Sequence, residues 1–323
     1  MTKYCSVIIG TGSYLPSRIL SNEELSKMVD TNDEWIISRT GIKQRHIVAE
    51  GEFTSDLASN AAKRAIEAAK ISPSDIDMII VCTTTPDSSF PSVATKVQAK
   101  IGAKNAAAFD VQAVCSGFIY GLTIADNFIK AGSAKTILII GAESMSKLVD
   151  WQDRNTCVLF GDGAGAVILK AADKEQHEGI IYCQINSDGC YESILYTDGG
   201  VSSTGTAGVM KMLGKEVFKH AVEKMSNTLL DLLAKSNYQK EDVSWIIPHQ
   251  ANARILDAIA TRLAFPSEKI VMTLDMHANT SAATIPLALD HHLKAGKIKS
   301  NDLIMLTALG GGLTWGGVIL RWL

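Results

Sequence analysis

The chain has no Cys-x-x-Cys pair, and its six cysteines (Cys5, Cys82, Cys115, Cys157, Cys183 and Cys190) follow no regular spacing. Neither a zinc site nor a disulfide framework is expected from them, and a reducing cytoplasm is the compartment that fits. Long hydrophobic runs are missing as well: Asp, Lys or Glu interrupts every candidate before the ~20 residues that a membrane span needs. The stretch Met1 to Gly10 is too short in its apolar part for a signal peptide and reads as a first strand. Charge of one sign is scarce, because 31 Lys and Arg stand against 34 Asp and Glu for a net charge of -3. No nucleic-acid-binding surface is indicated. With 46% hydrophobic and 20% charged residues the composition excludes a disordered tail, and 323 residues suffice for two packed cores or one large duplicated core.

What is present is an alternation of strand-like and helix-like segments throughout, the pattern of an α/β protein in which helices cover a sheet. Parallel pairing is expected to dominate. The pattern also repeats. Asp75-Ile76-Asp77-Met78-Ile79-Ile80-Val81-Cys82 returns as Asp242-Val243-Ser244-Trp245-Ile246-Ile247-Pro248-His249, an offset of 167 residues. Thr136 to Gly141 answers to Asp302 to Thr307, and Gly165 to Lys170 answers to Gly316 to Arg321. Three matches in one order imply two similar halves, 1–170 and 171–323.

Within the first half, Phe109-Asp110-Val111-Gln112-Ala113-Val114-Cys115-Ser116-Gly117-Phe118 ends a strand-like run, turns, and opens an apolar-periodic helix through Ile129. A cysteine at a helix start meets unpaired N–H groups and the positive end of the macrodipole, which favour thiolate. Most cysteines are small core residues, and the segment alone leaves both readings open. At an offset of 164, Cys115 corresponds to Asn279, so the halves are expected to bring Cys115, His249 and Asn279 together, at strand and helix ends where α/β folds build sites. A cysteine-hydrolase triad is the rival for this trio, but the strained hydrolase elbow needs a glycine two residues before the nucleophile, where Ala113 stands.

The whole chain resembles the condensing enzymes of the thiolase fold, most closely the β-ketoacyl-acyl-carrier-protein synthase III family that initiates fatty acid synthesis. The resemblance rests on Ala113-Val114-Cys115-Ser116-Gly117-Phe118, Pro248-His249-Gln250-Ala251-Asn252, Ala278-Asn279-Thr280-Ser281-Ala282-Ala283 and Gly310-Gly311-Gly312-Leu313-Thr314-Trp315-Gly316. Asp33 to Ile42, and Asp153-Arg154-Asn155 ahead of Phe160-Gly161-Asp162-Gly163-Ala164-Gly165-Ala166, point to the same branch. Elongating synthases carry Cys-His-His, whereas Asn279 stands here in place of a second His. Degradative thiolases use a further cysteine near the C-terminal glycine loop, and this chain has none beyond Cys190. Val114 and Ser116 replace alanines common in the family, Ala278 a glycine and Leu309 an aromatic residue. These changes border the trio and leave primer preference open.

The resemblance implies two pseudo-symmetric halves in an α-β-α-β-α layered architecture, and an acyltransferase that joins acetyl-CoA or a related short acyl-CoA primer to malonyl-acyl-carrier-protein with loss of CO₂. Cys115 would carry the acyl group, with an oxyanion held by the backbone N–H groups of Cys115 and Gly311, while His249 and Asn279 would stabilise the enolate formed by decarboxylation. Trp35, Arg39 and Arg154 would hold the CoA adenine and phosphates, and Asn252 the pantetheine arm. Leu159, Phe160, Met212, Gly214, Phe218 and Leu309 would line the channel, and Phe90 would complete the acyl pocket across a homodimer. CoA is substrate and product; no metal or redox cofactor is implied. Lys211, Lys215 and Lys219 recur every fourth residue and, with Arg254 and Arg262, are read either as a docking patch for the acidic acyl carrier protein or as a solvated face. Two alternatives stay open: a same-fold ketosynthase of secondary metabolism with another starter, and a carrier-binding scaffold without turnover.

Overall fold

All nine residues of Thr136–Ser144 are buried, as only a strand covered on both faces can be. The computed structural model describes residues 3–323; of the expected first strand, Met1 and Thr2 lie outside the described residues, and the strand runs Tyr4–Tyr14. Thr136–Ser144 is the middle of a five-stranded sheet ordered Tyr4–Tyr14, Asp162–Asp173, Thr136–Ser144, Met78–Cys82, Ala107–Val111. A four-stranded sheet runs Ile180–Ser187, Thr314–Arg321, Leu303–Gly310, Trp245–Pro248. Taken in this direction the two sheets agree strand for strand and in pairing sense: antiparallel, antiparallel, then parallel. Only the fifth position differs, reduced in the second sheet to one parallel bridge between Ile246 and Ile270.

Parallel pairing does not dominate. Three of the strand pairs are parallel, Met78–Cys82 with each neighbour and Trp245–Pro248 with Leu303–Gly310; the others are antiparallel. The reason lies in the connections. After Ser144 the chain makes only short helical turns before Asp162, and after Gly310 it reverses within three residues. The second link is far too short for a crossover, and the first, residues 145–161, carries no helix long enough to cross the sheet, so each return strand runs antiparallel.

Five layers result. Helices Thr54–Ala69 and Val93–Ile101 cover the outer face of the first sheet, and Gly214–Ser236 and Ala253–Leu263 that of the second. Between the sheets lie Gly117–Lys130 and Thr284–Lys294, whose apolar residues, including Phe118, Leu122, Ile285 and Leu289, share one core with Ile80 and Ile139 from one sheet and Ile247 and Leu306 from the other. A fully buried side chain of this kind contributes about 1.5–3 kcal/mol. The central helices are thus fixed from both sides.

Both central helices open with a 3-10 turn, Val114–Ser116 and Ser281–Ala283. Each turn begins on a non-glycine residue at positive φ, +47° for Val114 and +50° for Ser281. These starts match at an offset of 167, so the counterpart of Cys115 is Ala282, not Asn279. The offset of 164 holds at the other end, where Asp126 pairs with Lys130 and Asp290 with Lys294. The second helix has 11 residues against 14 in the first, and that missing turn is the whole discrepancy.

The turns sit against the sheets so closely that a side chain is not tolerated beside them. A methyl carbon on Gly141 would lie 2.3 Å from the Ala282 carbonyl oxygen. Gly141→Ala is therefore expected to cost about 1–3 kcal/mol of stability, whereas Gly189→Ala, which meets nothing within 4 Å, leaves the thermal midpoint unchanged; differential scanning calorimetry of the two variants checks both.

Candidate active site

The strained residue Val114 turns the chain so that Cys115 stands at the head of the Gly117–Lys130 helix. A β-branched residue at positive φ is a genuine outlier and persists only where packing over-determines it. Here the packing is visible: the Thr314 hydroxyl donates to the Ala113 carbonyl at 3.0 Å and the Ser116 hydroxyl donates to the same carbonyl at 2.8 Å. The glycine loop is thereby tied to the cysteine turn. A methyl on Gly310 would come within 2.8 Å of the Cys115 nitrogen, so glycine keeps the space beside that N–H open.

His249 follows the strand Trp245–Pro248 and is buried, its N–H donating to the Thr307 carbonyl at 2.8 Å. Its ring Nδ1 lies 2.7 Å from the Thr284 hydroxyl, which is also 3.0 Å from the Ser281 carbonyl. That hydroxyl has one hydrogen and two acceptors. When it donates to Nδ1, the neutral ring carries its hydrogen on Nε2 and presents a donor to the cavity. Burial pushes the imidazole pKa down to about 3, so His249 is uncharged across the physiological range.

Asn279 is set by backbone contacts to Leu159 and Gly161: its N–H donates to the Leu159 carbonyl at 2.9 Å, and its carbonyl accepts from the Gly161 N–H at 3.1 Å. The side-chain Oδ1 accepts the Ser281 N–H at 2.9 Å, which leaves the amide nitrogen as the free donor. Ala278, preceding it at φ +56°, occupies a conformation that favours glycine.

Cys115, His249, Asn279 and Gly311 line one cavity of ≈ 990 Å³, so the three side chains from two halves do face a common space. The expected thiolate is not the resting form. Burial pushes the Cys115 thiol up to about 12, with the charge on Glu143 adding to the rise and the Ser281 hydroxyl and the Cys115 backbone opposing it. Position at a helix start does not outweigh desolvation here, and the thiol must lose its proton during the reaction.

Leu159, Phe160, Met212, Gly214, Phe218 and Leu309 also line the cavity. Trp35, Arg39, Asn252, Lys215 and Arg254 line it as well. Asn252 is structurally committed: its Oδ1 accepts the Arg254 N–H at 2.9 Å, capping Ala253–Leu263, and its amide donates to the Arg39 carbonyl at 3.1 Å. One amide hydrogen remains for a ligand. Arg154 is outside the cavity lining, its guanidinium 5.1 Å from the centre of the Trp35 ring and donating to the Asp30 carbonyl at 3.0 Å. The two side chains stack on each other, and a purine enters between them only if they part. Phe90 is 86% exposed and away from the cavity.

Lys211 does not share a helix face with Lys215 and Lys219. The helix begins at Gly214, and Lys211 belongs to the strand Met210–Met212, paired with Asp198 at 3.5 Å. Arg262 donates to Asn227 at 3.3 Å. Lys215, Lys219 and Arg254 are exposed. Sequence reasoning passed over Thr284, Ser281 and Glu143. The one available signal was Glu143 itself, a carboxylate ending the apolar run Thr136 to Ala142.

Two opposed sheets, central helices with facing turns and a buried Cys, His and Asn define a condensing enzyme of the thiolase fold. Residues 109–189 match the family described as 3-Oxoacyl-[acyl-carrier-protein (ACP)] synthase III, and residues 233–322 match its C-terminal part. The chain is 57% identical over 318 residues to "Beta-ketoacyl-[acyl-carrier-protein] synthase III" of Wolbachia pipientis wMel, covering 98% of this chain and 99% of that one. It is 55% identical over 319 residues to the protein of that name in Paramagnetospirillum magneticum, covering 98% of each. The crystal structure of 3-oxoacyl-[acyl-carrier-protein] synthase III from Aquifex aeolicus VF5 superposes with a TM-score of 0.93 at 49% identity, covering 98% of this chain and 100% of that one. The chain belongs to the β-ketoacyl-[acyl-carrier-protein] synthase III family.

The neutral state of His249 has a measurable consequence. Its folded pKa of about 3 lies below the ordinary value of 6.5, so the unfolded chain takes up the proton first as pH falls. Stability is complete above pH 6.5 and is lost from there toward pH 3. Between pH 7.5 and 5 the loss from this residue is about 2 kcal/mol, and urea unfolding of His249→Asn at the two values is expected to show a smaller pH difference than wild type by that amount.

Proposed function

We propose that this protein condenses a short acyl-CoA primer, acetyl-CoA first among them, with malonyl-acyl-carrier-protein, giving acetoacetyl-acyl-carrier-protein, CO₂ and CoA, and so opens type II fatty acid synthesis. The observation that carries this reading is the shared cavity of Cys115, His249 and Asn279 at the end of a channel, in a chain whose relatives bear that enzyme's name over nearly full length. Cys115 attacks the thioester carbonyl, the N–H groups of Cys115 and Gly311 receive the negative oxygen, and CoA leaves an acyl-enzyme. Loss of CO₂ from the malonyl group then produces an enolate without removal of a carbon-bound proton. Its oxygen meets the Nε2–H that His249 carries when the Thr284 hydroxyl donates to Nδ1, and the amide of Asn279, whose oxygen the Ser281 N–H occupies.

Neutral donors suit this step. A cation beside the malonyl carboxylate would stabilise the ground state that has to break up, whereas uncharged hydrogen bonds strengthen as charge moves onto the oxygen. The chemistry as proposed uses no metal or redox cofactor. Trp35, Arg39 and Arg154 are assigned to the CoA nucleotide, since guanidinium and indole planes stack on purines and Arg meets phosphate with a fork of donors. Lys215, Lys219 and Arg254 are assigned to the acidic carrier protein, which fits their exposure and, for Lys215 and Arg254, their place in the cavity lining. The assigned compartment is the cytoplasm, and the assigned assembly a homodimer whose exposed Phe90 reaches the partner's acyl pocket.

Mass spectrometry after incubation with acetyl-CoA is expected to find one acetyl group on Cys115 and none on the Cys115→Ala variant. His249→Ala and Asn279→Ala should keep the adduct while losing about 10²–10³-fold in condensation, the scale of one oxyanion donor. A folded native protein that takes up no acetyl group would favour the scaffold reading instead. In the dimer reading, Phe90→Ala should change the ratio of kcat/KM for acetyl against longer and branched acyl-CoA primers; an unchanged ratio removes Phe90 from the pocket.

A further inference from the structure

We infer that Glu143 and Ser281 form the proton path of the nucleophile: as Cys115 attacks, the Ser281 hydroxyl receives the thiol proton and passes its own to the Glu143 carboxylate, and the reverse transfer protonates the departing CoA sulfur. The inference rests on the acyl-transfer reading above and assigns that step its base. Electrons and protons balance. The sulfur lone pair forms the new S–C bond, the C–S bond to CoA breaks with its pair on the leaving sulfur, and one proton moves out to Glu143 and back.

The geometry is that of a buried carboxylate left half satisfied. Glu143 is fully buried, and its Oε2 accepts from the Thr85 hydroxyl at 2.6 Å, the Thr84 N–H at 3.1 Å and the Thr83 hydroxyl at 3.2 Å. No cation is among these partners. Its other oxygen, Oε1, is buried and makes no well-aligned hydrogen bond, and the same holds for the Ser281 hydroxyl; the Ser281 hydroxyl and the Ala282 N–H are the remaining donors that reach toward the carboxyl. A buried carboxylate with no cation and an incompletely paired oxygen is held at the cost of its lost hydration. The Ser281 hydroxyl lies beside both the Cys115 thiol and the Glu143 carboxyl, close enough to favour the charged form of each. It therefore stands between the proton's donor and its acceptor, aimed there by a residue held at positive φ.

The surroundings fit the task. The titratable groups that feel Glu143 are Cys82 from the strand Met78–Cys82 and Cys115 itself. The threonine loop and the turn Ser281–Ala283 present no ionisable side chain. Asp162, adjacent across the sheet, is engaged by Ser146 and the Val48 N–H. Burial raises the Glu143 pKa to about 7, which lets it take and return a proton at neutral pH. His249, with a pKa near 3, holds a proton about four orders of magnitude less well.

The test is alkylation of Cys115 by iodoacetamide, followed on its tryptic peptide from pH 5.5 to 9. It needs neither acyl-CoA nor carrier protein, so its failure leaves the condensing reading standing, whereas failure of the acetyl adduct with the alkylation profile intact would overturn that reading alone. Wild type is expected to show an inflection near pH 7. Glu143→Gln should lose the inflection and react at least tenfold more slowly at pH 8, and Ser281→Ala should do the same. A purely electrostatic or structural Glu143 predicts the opposite sign, because removing a negative charge lowers the thiol pKa. A rate for Glu143→Gln within tenfold of wild type, or above it, overturns the proposal. If Glu143→Gln does not fold, Ser281→Ala decides the matter by the shape of its profile: loss of the inflection near pH 7 is the expected result, whereas a slower rate with the inflection kept is what loss of a thiolate-stabilising hydroxyl alone would give, and overturns the proposal.

Discussion

Everything at the site depends on two strained turns being pressed together in the middle of the molecule. Val114–Ser116 and Ser281–Ala283 head the two helices that lie between the sheets, and each is held at positive φ by packing from both sides. A surface loop would relax such a conformation; a turn wedged between two sheets cannot. The strain buys direction. It aims Cys115 and Ser281 toward each other's half, places the Asn279 amide by occupying its oxygen with the Ser281 N–H, and positions Thr284 under the His249 ring.

The interior in which these groups meet is poor in solvent, and this sets their charge. Burial alone drives His249 to neutrality and raises the Glu143 carboxyl, and burial together with the Glu143 charge raises the Cys115 thiol. Ions are disfavoured and dipoles are strengthened in such a place. An enzyme that must stabilise an oxygen for the duration of a transition state gains from fixed uncharged donors, which need no reorganisation when the charge arrives. Permanent charge is kept at the outer end of the channel, where Arg39, Lys215 and Arg254 stand.

Much of this was legible in the sequence, and the parts that were not share a cause. Cys115, His249 and Asn279 could be found because each follows or precedes a recognisable strand or helix start, and the duplication could be found because buried strands read as apolar runs, while the layering came with the family resemblance. The pairing of Cys115 with Asn279 failed because sequence similarity at the helix ends, Asp126 with Lys130 against Asp290 with Lys294, was extended across a helix that is one turn shorter. Lys211 was grouped by periodicity with lysines beyond a helix start that the spacing did not reveal. Ser281 and Thr284 were invisible for a deeper reason: each is unremarkable in its own segment, and they, like the Glu143 carboxylate at the end of its apolar run, acquire meaning only when facing turns from distant parts of the chain touch.

The corrected offset carries a consequence of its own. Since Ala282 is the twin of Cys115, Gly310 is the twin of Glu143. In one half the glycine leaves a vacancy next to the Cys115 nitrogen; in the other, a carboxylate lies next to the Ala282 nitrogen. Of the two equivalent cradles, one keeps its backbone donor clear and the other is filled by the protein's own carboxylate, so the pseudo-symmetry of the halves is broken at the position where the chemistry needs room.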